Sequence, residues 1–539
     1  MTARTLAVRA RIEGRPEAPY DRLHDALVHD LLAGGPVARE RFAARWGDTA
    51  ALRSLADTKR RPLPAPLAAE LADYHRRLGA SPASLANLER LARGEAVAAV
   101  AGQQPAPLGG PLYSLHKSAS AVGIAEVVAA RTGAPCVPLF WMHGEDSDFS
   151  EIRHATLADA AYVVHDLALP DDAHADGDLV GAIALPPLAA LTTEALAHWQ
   201  GLPGHADVAA LAARSLAAAR DVGEATSALL LALFAGRGLV VVDPRLPAFR
   251  AAAREPIERY LAHADQLHAA ARTAGARLSA LIGRQPLTDA SLESFVFEIE
   301  DGRRHKISAA DARARGRAVT LSASVALRPA VQDAVFPTVA MAVGPGEVAY
   351  LAQLREVFEG LNVRPALAVP RFGATWLPPE ALELIEAAGA EPWSVVSGAD
   401  AAIAAVAERH VPADLARLLA DARAAALEGL ARFAQGSRAL DASLPQMVES
   451  ARGKVDYQFA RLHEGLAGKA RARLDREHPA WRRMRYVLLP GDKLQERRLA
   501  SLEPVARRGA GVVDDVGELA AEHAARAAEG VHEHYLLEG

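Results

Sequence analysis

The side chains that could do chemistry are concentrated in two loops, each beside a short apolar run. The first loop is rich in glycines and side-chain amides and leads into two cations: Gly102, Gln103, Gln104, Gly109, Gly110, Tyr113, His116 and Lys117. Glycines let the backbone approach a ligand, and the free amides of a following helix attract anions. His116 and Lys117 fall in the first turn of a helix predicted to begin near Ser114, so a bound anion would offset their poor position in the helix dipole. We predict a phosphate or carboxylate site here, the alternative being a tight turn with solvated side chains.

The second loop gathers carboxylates and imidazoles within residues 142–154: His143, Glu145, Asp146, Asp148, Glu151 and His154. Like charges this close are either partly protonated or neutralised by a metal, a substrate ammonium or basic side chains. The loop has no ligand spacing such as H-x-x-x-H or H-E-x-x-H, so no metal site is predicted. Two alternatives stay open. One is a solvated acidic loop, and the other is a metal-dependent hydrolase using His143, Asp146, Asp148 and His154.

Three further segments could complete a site. The segment Gly344-Pro-Gly346-Glu347 follows an apolar run and opens a predicted helix, where a first-turn carboxylate is favourable. Arg328 and Arg371 each lie close to another predicted strand. Both arginines could clamp an anion, or each could form an ion pair within the protein.

Short apolar runs are expected to position these loops. One of these runs, Phe295–Glu300, is followed by the hairpin turn signal Asp301-Gly302. Residues 96–101, 136–141, 238–243, 338–343 and 366–369 have the pattern of buried strands, with helical patterns between several of them. This alternation predicts an α/β fold with a doubly wound core, in which ligands bind at the carboxyl ends of the strands. Between residues 411 and 485, apolar residues recur at spacings of three and four. That spacing predicts an antiparallel helical hairpin or coiled coil, which packs on the body or on a second subunit.

The composition narrows the function classes. The chain has 539 residues, 50% of them hydrophobic and 23% charged, with a formal net charge of −6. This charge gives no general electrostatic reason to bind nucleic acid, and no apolar run is long enough to span a membrane. The single cysteine, Cys136, permits no intrachain disulfide. Together with the lack of a secretory signal at the N-terminus, it predicts a cytoplasmic protein.

In chain order, these segments resemble the cysteine-adding enzymes of bacillithiol biosynthesis, a family of cysteine ligases. The matching segments are Gly102-Gln-Gln, Gly110-Pro-Leu-Tyr with His116-Lys117, Phe140-Trp with Gly144-Glu-Asp and Asp148, Gly344-Pro-Gly-Glu347 with Tyr350, Pro370-Arg371, and Gln495-Glu-Arg497. The resemblance implies a Rossmann-like core, a coiled-coil arm and a homodimer formed through that arm. It also implies that the chain joins cysteine to glucosaminyl malate in the last step of bacillithiol synthesis. ATP, as its Mg²⁺ complex, is the expected activator of the cysteine carboxyl.

With this resemblance the chain divides into four parts: an N-terminal helical segment (1–95), a Rossmann-like α/β core with inserted connecting segments (96–410), a coiled-coil arm (411–485) and a C-terminal return to the core (486–539). His116, Lys117 and the amides of Gly109 and Gly110 would hold a phosphate or carboxylate. Glu145, Asp146 and Asp148 would bind the amine, with one of them as general base. The rest of the pocket would come from Gly102, Gln103, Gln104, Tyr113, His143, Arg328, Gly344, Gly346, Glu347 and Arg371. The alternative from another class is a dimeric nucleotide- or metabolite-binding scaffold that needs a catalytic partner.

The chain departs from the family pattern at two places. In the acidic loop, Ser147 stands where a histidine is expected, and His143 stands where a small apolar residue is expected. In the second place, Ser324 precedes Val325 where an asparagine is expected. If the family histidine is a base, its position along the loop has therefore changed in this chain.

Overall fold

The structure is a computed structural model that describes residues 6–13, 25–283, 285–388, 408, 410–441, 443–477 and 487–539. Contacts divide the chain into two compact units. One unit runs to Trp376 and resumes at Lys493, and the other spans Leu377–Asp492. Within the described ranges, no helix is both long enough and apolar enough to cross a membrane.

Strands of both parallel and antiparallel sheets occur in the described residues. They are β1 (Val8–Glu13), β2 (Val97–Gln103), β3 (Cys136–Met142), β4 (His154–Ala158), β5 (Val164–Ala168), β6 (Val240–Val242), β7 (Val296–Glu300), β8 (Arg303–Lys306), β9 (Thr320–Ala323), β10 (Thr338–Val343), β11 (Leu367–Pro370), β12 (Ala374–Leu377) and β13 (Glu533–Glu538).

The central sheet contains five parallel strands in the order β11-β10-β2-β3-β6. Counted along the chain from the β6 edge, this is the 3-2-1-4-5 order of a doubly wound α/β fold. The predicted fold class is therefore confirmed. The strand order reverses between β2 and β10, and the loops that follow these two strands separate there. In open α/β sheets this position is the usual ligand crevice.

Burial explains why these segments pair. Val97 and Val240 begin strands whose residues are buried on both faces, as expected for parallel strands covered by helices. Pro138 lies inside β3, but the pairing of β3 with β6 begins only at Leu139. The missing amide of Pro138 therefore interrupts no bond of that ladder.

The helices surround this sheet and extend from it. In the first unit they are Ala26–Ala33, Pro36–Arg41, Thr49–Lys59, Ala65–Arg77, Pro82–Arg93, Leu112–Thr132, Phe149–Ile152, Leu185–His198, His205–Ala218, Val222–Leu233, Pro247–Ile282, Ala309–Arg315, Arg328–Val335, Pro345–Gln353, Arg355–Gly360, Glu503–Arg508 and Val512–Ala528. The long helix after β2 packs closely on Val512–Ala528, because Gly123 has no side chain: a Cβ there would lie 2.4 Å from the Ala521 nitrogen. Gly133, at φ 76°, ends that helix.

The N-terminal region is helical from Ala26 to Arg93, but it also contains a strand that was not predicted. The strand β1 pairs antiparallel with β13 at the other end of the chain, and β12 lies on the far side of β13. Residues of β1 alternate between half-buried and exposed. This alternation is the local signal, while the partner strand lies more than 500 residues away in sequence.

An inserted antiparallel sheet, β8-β7-β9, follows the helix Pro247–Ile282. Asp301 and Gly302 both have positive φ and form the hairpin turn between β7 and β8, as the sequence predicts. Strands β4 and β5 form a separate two-stranded sheet.

The second unit contains the predicted helical hairpin. Its described helices are Pro379–Ala388, Ala413–Ser437 and Leu444–Glu477. Arg423 Nε lies 2.6 Å from Asp456 Oδ1, which joins positions at similar distances from the connecting turn. This pairing is the one expected of an antiparallel hairpin.

Candidate active site

A cavity of about 960 Å³ opens at the carboxyl ends of β2, β3 and β10, where the strand order reverses. Most of the predicted site residues line it: Gly102, Gln103, Gln104, Tyr113, Lys117, His143, Glu145, Asp146, Asp148, Arg328, Gly344, Gly346, Glu347 and Arg371. Residues of the inserted sheet and of the helix Pro247–Ile282, such as Phe297 and Ile257, line it from other directions. The two loops singled out by sequence therefore meet in one space.

The predicted anion cradle at Gly109, Gly110 and His116 lies outside this cavity. A Cβ at Gly109 would meet Ser501 at 3.2 Å, and the Gly110 carbonyl accepts a hydrogen bond from the Ser501 amide. The amide of Gly110 is already bonded to the Pro107 carbonyl. The helix begins at Leu112 rather than near Ser114, so His116 falls beyond the first turn. The backbone around Gly109 and Gly110 serves packing, whereas Gly102, Gln103, Gln104, Tyr113 and Lys117 line the cavity.

His116 belongs instead to a closed cluster with Arg371 and Glu496. Arg371 donates through both Nη atoms to Glu496, with one distance of 2.9 Å, and His116 Nδ1 lies 3.1 Å from the same carboxylate. Burial acts to raise the pKa of Glu496, but Arg371 and His116 outweigh it and hold that pKa well below its usual range. The charge of Arg371 is thus matched inside the chain, although its side chain reaches the cavity wall.

Arg328 has a different environment. Its side chain is only 6% exposed, and its partners are two neutral groups, the Tyr350 hydroxyl at 2.8 Å and the Gln332 Oε1 at 3.3 Å. In the described part of the chain, no carboxylate lies within ion-pairing distance of this guanidinium. A buried cation without a counter-ion is costly, so this position is suited to an anionic ligand.

Lys117 and Glu347 join the two halves of the sheet. Lys117 Nζ lies 2.9 Å from Glu347 Oε2 and donates to the Gly102 carbonyl at 3.0 Å. Glu347 also accepts from the Gly344 amide at 2.8 Å, so it caps the helix Pro345–Gln353, as its first-turn position suggests. Burial acts to raise the pKa of Glu347, but Lys117 and the Gly344 amide lower it overall.

The carboxylates of the acidic loop are mostly engaged by protein groups. Glu145 accepts from Arg250 at 3.0 Å and from the Ser322 hydroxyl at 2.8 Å, while burial raises its pKa. Asp146 accepts from Arg304 at 3.0 Å and, on its other oxygen, from Gln104 at 2.9 Å. Neither carboxylate has an uncommitted oxygen, which weakens the prediction that one of them is the general base.

Asp148 is exposed, unlike Glu145 and Asp146. Its Oδ1 accepts from the Glu151 amide at 3.2 Å and from the Ser150 hydroxyl at 2.6 Å, so it caps the helix Phe149–Ile152. No described residue donates to its Oδ2. Asp148 can therefore still accept a hydrogen bond from a ligand in the cavity.

His143 is the histidine that lines the cavity among the described residues. Burial, followed by the cations of Arg328 and Lys117, lowers the pKa of His143 well below its usual value. The neutral ring makes no side-chain hydrogen bond with any described residue. Its proposed companion in a metal site, His154, is exposed and does not line the cavity. Among the described residues, no group of three or more histidine, cysteine or acidic side chains is arranged to hold a metal.

Sequence reasoning missed several residues of the cavity. Arg304, in β8, lies over the Phe297 ring at 3.8 Å and orients Asp146. It follows the predicted hairpin turn in a basic run, which was a usable signal. Arg250 lies on the long helix and gave no such signal. Arg497, in the last family segment, reaches the cavity rim.

Two family models match the chain. The model described as "Bacillithiol biosynthesis BshC, N-terminal Rossmann-like domain" matches residues 17–372, and "Bacillithiol biosynthesis BshC, C-terminal coiled-coil domain" matches residues 374–526. A protein of Koribacter versatilis named "Putative cysteine ligase BshC" is 31% identical, over 84% of this chain and 87% of its own length. A protein of the same name from Geobacillus kaustophilus is 30% identical, over 87% of this chain and 91% of its own length. The resemblance predicted from the motifs is confirmed.

Proposed function

The chain belongs to the BshC family of bacillithiol biosynthesis, and from this premise we propose that it is a cytoplasmic cysteine ligase. In the proposed reaction, the carboxyl of cysteine forms an amide with the amine of glucosaminyl malate, as the last step of bacillithiol synthesis. A carboxylate does not react with an amine at neutral pH, so the cysteine carboxyl is first activated by ATP. The names of the relatives support the ligase, and the cavity supports the substrates.

The observation that carries the proposal is the unpaired, buried guanidinium of Arg328. Every substrate of the proposed reaction carries an anionic group: glucosaminyl malate and cysteine carry carboxylates, and ATP carries phosphates. An anion bound to Arg328 would supply the counter-charge that no described carboxylate provides by direct contact. Charge-assisted hydrogen bonds of this kind are among the stronger ones. Arg371 cannot contribute equally, because Glu496 already matches it.

Two carboxylates of the cavity lining suit the amine. Asp148 presents an uncommitted Oδ2, and Glu151 lies beside it on the cavity lining. These two carboxylates would hold the ammonium form of the sugar amine before reaction. Anionic and cationic ends of one substrate would thus be separated along the cavity, which fixes its orientation.

The cavity also fits a phosphate-bearing co-substrate, although not at the glycines that the sequence suggested. Lys117, Arg304 and Arg328 all line the cavity, and there is open space beside Gly346 at the start of its helix. ATP would bind here as its Mg²⁺ complex, with the metal held by phosphate oxygens rather than by a protein site.

We further propose that the chain is a homodimer formed through the helical hairpin. Apolar side chains of its two long helices are exposed, including Leu418 (61%), Phe433 (61%), Met447 (61%) and Leu462 (57%). A hairpin that exposes such residues can bury them against a second copy. Light scattering of the wild type and of Phe433→Glu tests this, with a dimer expected for the wild type and monomer for the variant. A monomeric wild type would contradict it.

The reaction is tested with purified protein, cysteine, glucosaminyl malate and Mg-ATP, with the product followed by mass spectrometry. The cysteinyl amide is expected with the wild type and is expected to form about 100-fold more slowly with Arg328→Gln. Arg214→Gln is the matched control, because Arg214 is exposed on the helix His205–Ala218 and does not line the cavity. If the pure protein forms no product while its gene restores the thiol to a deletion strain, the scaffold with a separate catalytic partner is favoured instead.

A further inference from the structure

His143 is held firmly by its backbone while its ring remains uncommitted. It follows the last residue of β3, and its amide donates to the Gln103 carbonyl at 2.9 Å, which continues the pairing of β2 with β3. Gly102 permits the ring to approach, because a Cβ there would lie 3.2 Å from His143 Nε2. The ring nitrogens are thus fixed at the crevice and have no partner among the described residues.

The neighbouring carboxylates are poor alternatives as proton acceptors. Both oxygens of Glu145 and of Asp146 accept hydrogen bonds, and each carboxylate has one bond from an arginine. A carboxylate bound in this way gives up its partners when it accepts a proton. An imidazole with a free nitrogen has no such cost, and histidine is the commonest general base for this reason and for its pKa.

We propose that His143 accepts the proton of the attacking amine, and that it can do so only when an anionic substrate group lies against Arg328. This inference rests on the proposed function. The neutral amine attacks the acyl carbon of cysteine, which ATP has converted to an acyl phosphate or acyl adenylate. The new C–N bond forms, the bond from carbon to the phosphate oxygen breaks with its electron pair, and the extra proton on nitrogen passes to His143.

The dependence on an anion follows from the charges around the ring. Arg328, Lys117 and Arg304 all disfavour a positive imidazolium, and burial adds to their effect. Lys117 forms an ion pair with Glu347 and Arg304 forms one with Asp146. Arg328 forms no direct ion pair with a described residue, and the charge of Glu347, which also acts on Arg328, is shared with Lys117. An anion placed against Arg328 cancels the charge of that guanidinium and stabilises the imidazolium. Substrate binding would therefore switch on the base in the same step that positions the reacting groups.

The coupling is tested without turnover. The protein is labelled with nitrogen-15 at histidine, and the His143 signal, identified by its loss in His143→Gln, is followed by NMR from about pH 5 to about pH 8. Sulfate is the probe, since its charge is constant over this range. The titration midpoint of His143 is expected to move up by roughly one pH unit with sulfate, and not to move in Arg328→Gln. If sulfate does not change the titration midpoint of His143 in the wild type, the coupling between His143 and Arg328 is overturned.

The base role is tested by kinetics. His143→Gln is expected to lower kcat about 100-fold with little change in KM, and to remove the acidic limb of the pH profile. Added imidazole is expected to restore part of the rate of His143→Ala, which a purely structural residue would not show. His154→Gln, in the same loop but exposed and outside the cavity, serves as the control and is expected to retain the wild-type rate.

The two proposals fail in distinguishable ways. If the wild type forms the amide and His143→Gln keeps both the rate and the acidic limb, the base assignment is wrong and the ligase stands. If the wild type forms no amide while sulfate still moves the His143 midpoint, the ligase is wrong and the coupling of the two residues stands.

Discussion

Two clusters of buried charge lie in the same compact unit, and they differ in how their charges are matched. In the cluster of Arg371, Glu496 and His116, the guanidinium and the carboxylate satisfy one another. In the cavity, Arg328 has only neutral partners and His143 has none among the described residues. Burying an uncompensated charge costs several kcal/mol. We therefore expect a ligand to bind at the cluster whose charge has no partner, rather than at the cluster whose charges are paired.

Buried histidines and the cavity histidine also differ in what their protonation does. Several histidines outside the cavity, among them His75, His523 and His534, are buried inside the fold, where their protonation opposes folding. His143 faces the cavity, where its protonation is part of the proposed reaction. Acid should therefore act on stability through the first group and on activity through the second.

The largest effect is expected on acidification. Burial lowers the pKa of His75, His523 and His534 to about 4 in the folded protein. An unfolded histidine has a pKa near 6.5, so the unfolded chain binds protons that the folded chain does not between about pH 6.5 and about pH 4. Stability is thus fully present above about pH 6.5 and falls below it, by roughly 5 kcal/mol in total between pH 7 and pH 5.

Urea unfolding at the two pH values measures this loss. His154→Gln is the control, because His154 is exposed and its replacement is expected to leave the pH dependence of stability unchanged. Equal stability at both pH values would mean that the buried histidines are already protonated in the fold.

The second effect concerns the matched cluster. Glu496→Gln leaves the buried Arg371 without its counter-charge, and the free energy of unfolding is expected to fall by about 3 kcal/mol. Glu538→Gln is the matched control: its pair with Arg9 is at the surface, and its loss is expected to cost less than 1 kcal/mol. The measurement is urea unfolding at neutral pH. Equal losses of stability in the two variants would mean that the buried ion pair contributes no more than the surface ion pair.

Sequence alone predicted the part of this architecture that depends on continuous apolar runs. The five parallel strands and the two long helices were identified from local pattern, because burial on both faces or along one stripe is visible in a short window. The strand β1 was missed because its partner, β13, lies at the opposite end of the chain. Local pattern carries no information about that pairing.

The site was predicted in composition but not in detail, for a related reason. His116 and Lys117 are adjacent in sequence, yet one faces Glu496 and the other the cavity. Arg328 and Arg371 appeared equivalent, and the partner that separates them lies 125 residues beyond Arg371. Tertiary contacts decide which of the two arginines has a carboxylate partner. Arg328 could therefore be identified as the candidate ligand-binding residue only in the folded chain.

The third prediction concerns whether Arg328 serves ligand binding or stability. Arg328→Gln removes a buried charge that has no counter-ion, so the free energy of unfolding is expected to stay unchanged or to rise by up to about 1 kcal/mol. Activity is expected to fall about 100-fold, since the anionic substrate loses a charge-assisted contact. Unfolding and product formation are measured on the same preparation. A loss of stability like that of Glu496→Gln would show that Arg328 is a structural residue.

The smallest effect is expected at Asp148, on the acidic wall of the cavity. Asp148→Asn keeps an acceptor for the Glu151 amide and the Ser150 hydroxyl, so the short helix that follows should remain capped. It removes the negative charge at the uncommitted Oδ2, and KM for the amine substrate is expected to rise about 10-fold with little change in kcat. Asp172→Asn, at an exposed position outside the cavity, controls for the loss of one surface charge. An unchanged KM would mean that the amine is held elsewhere, and that the unmatched charge of Arg328 alone sets the orientation of the substrate.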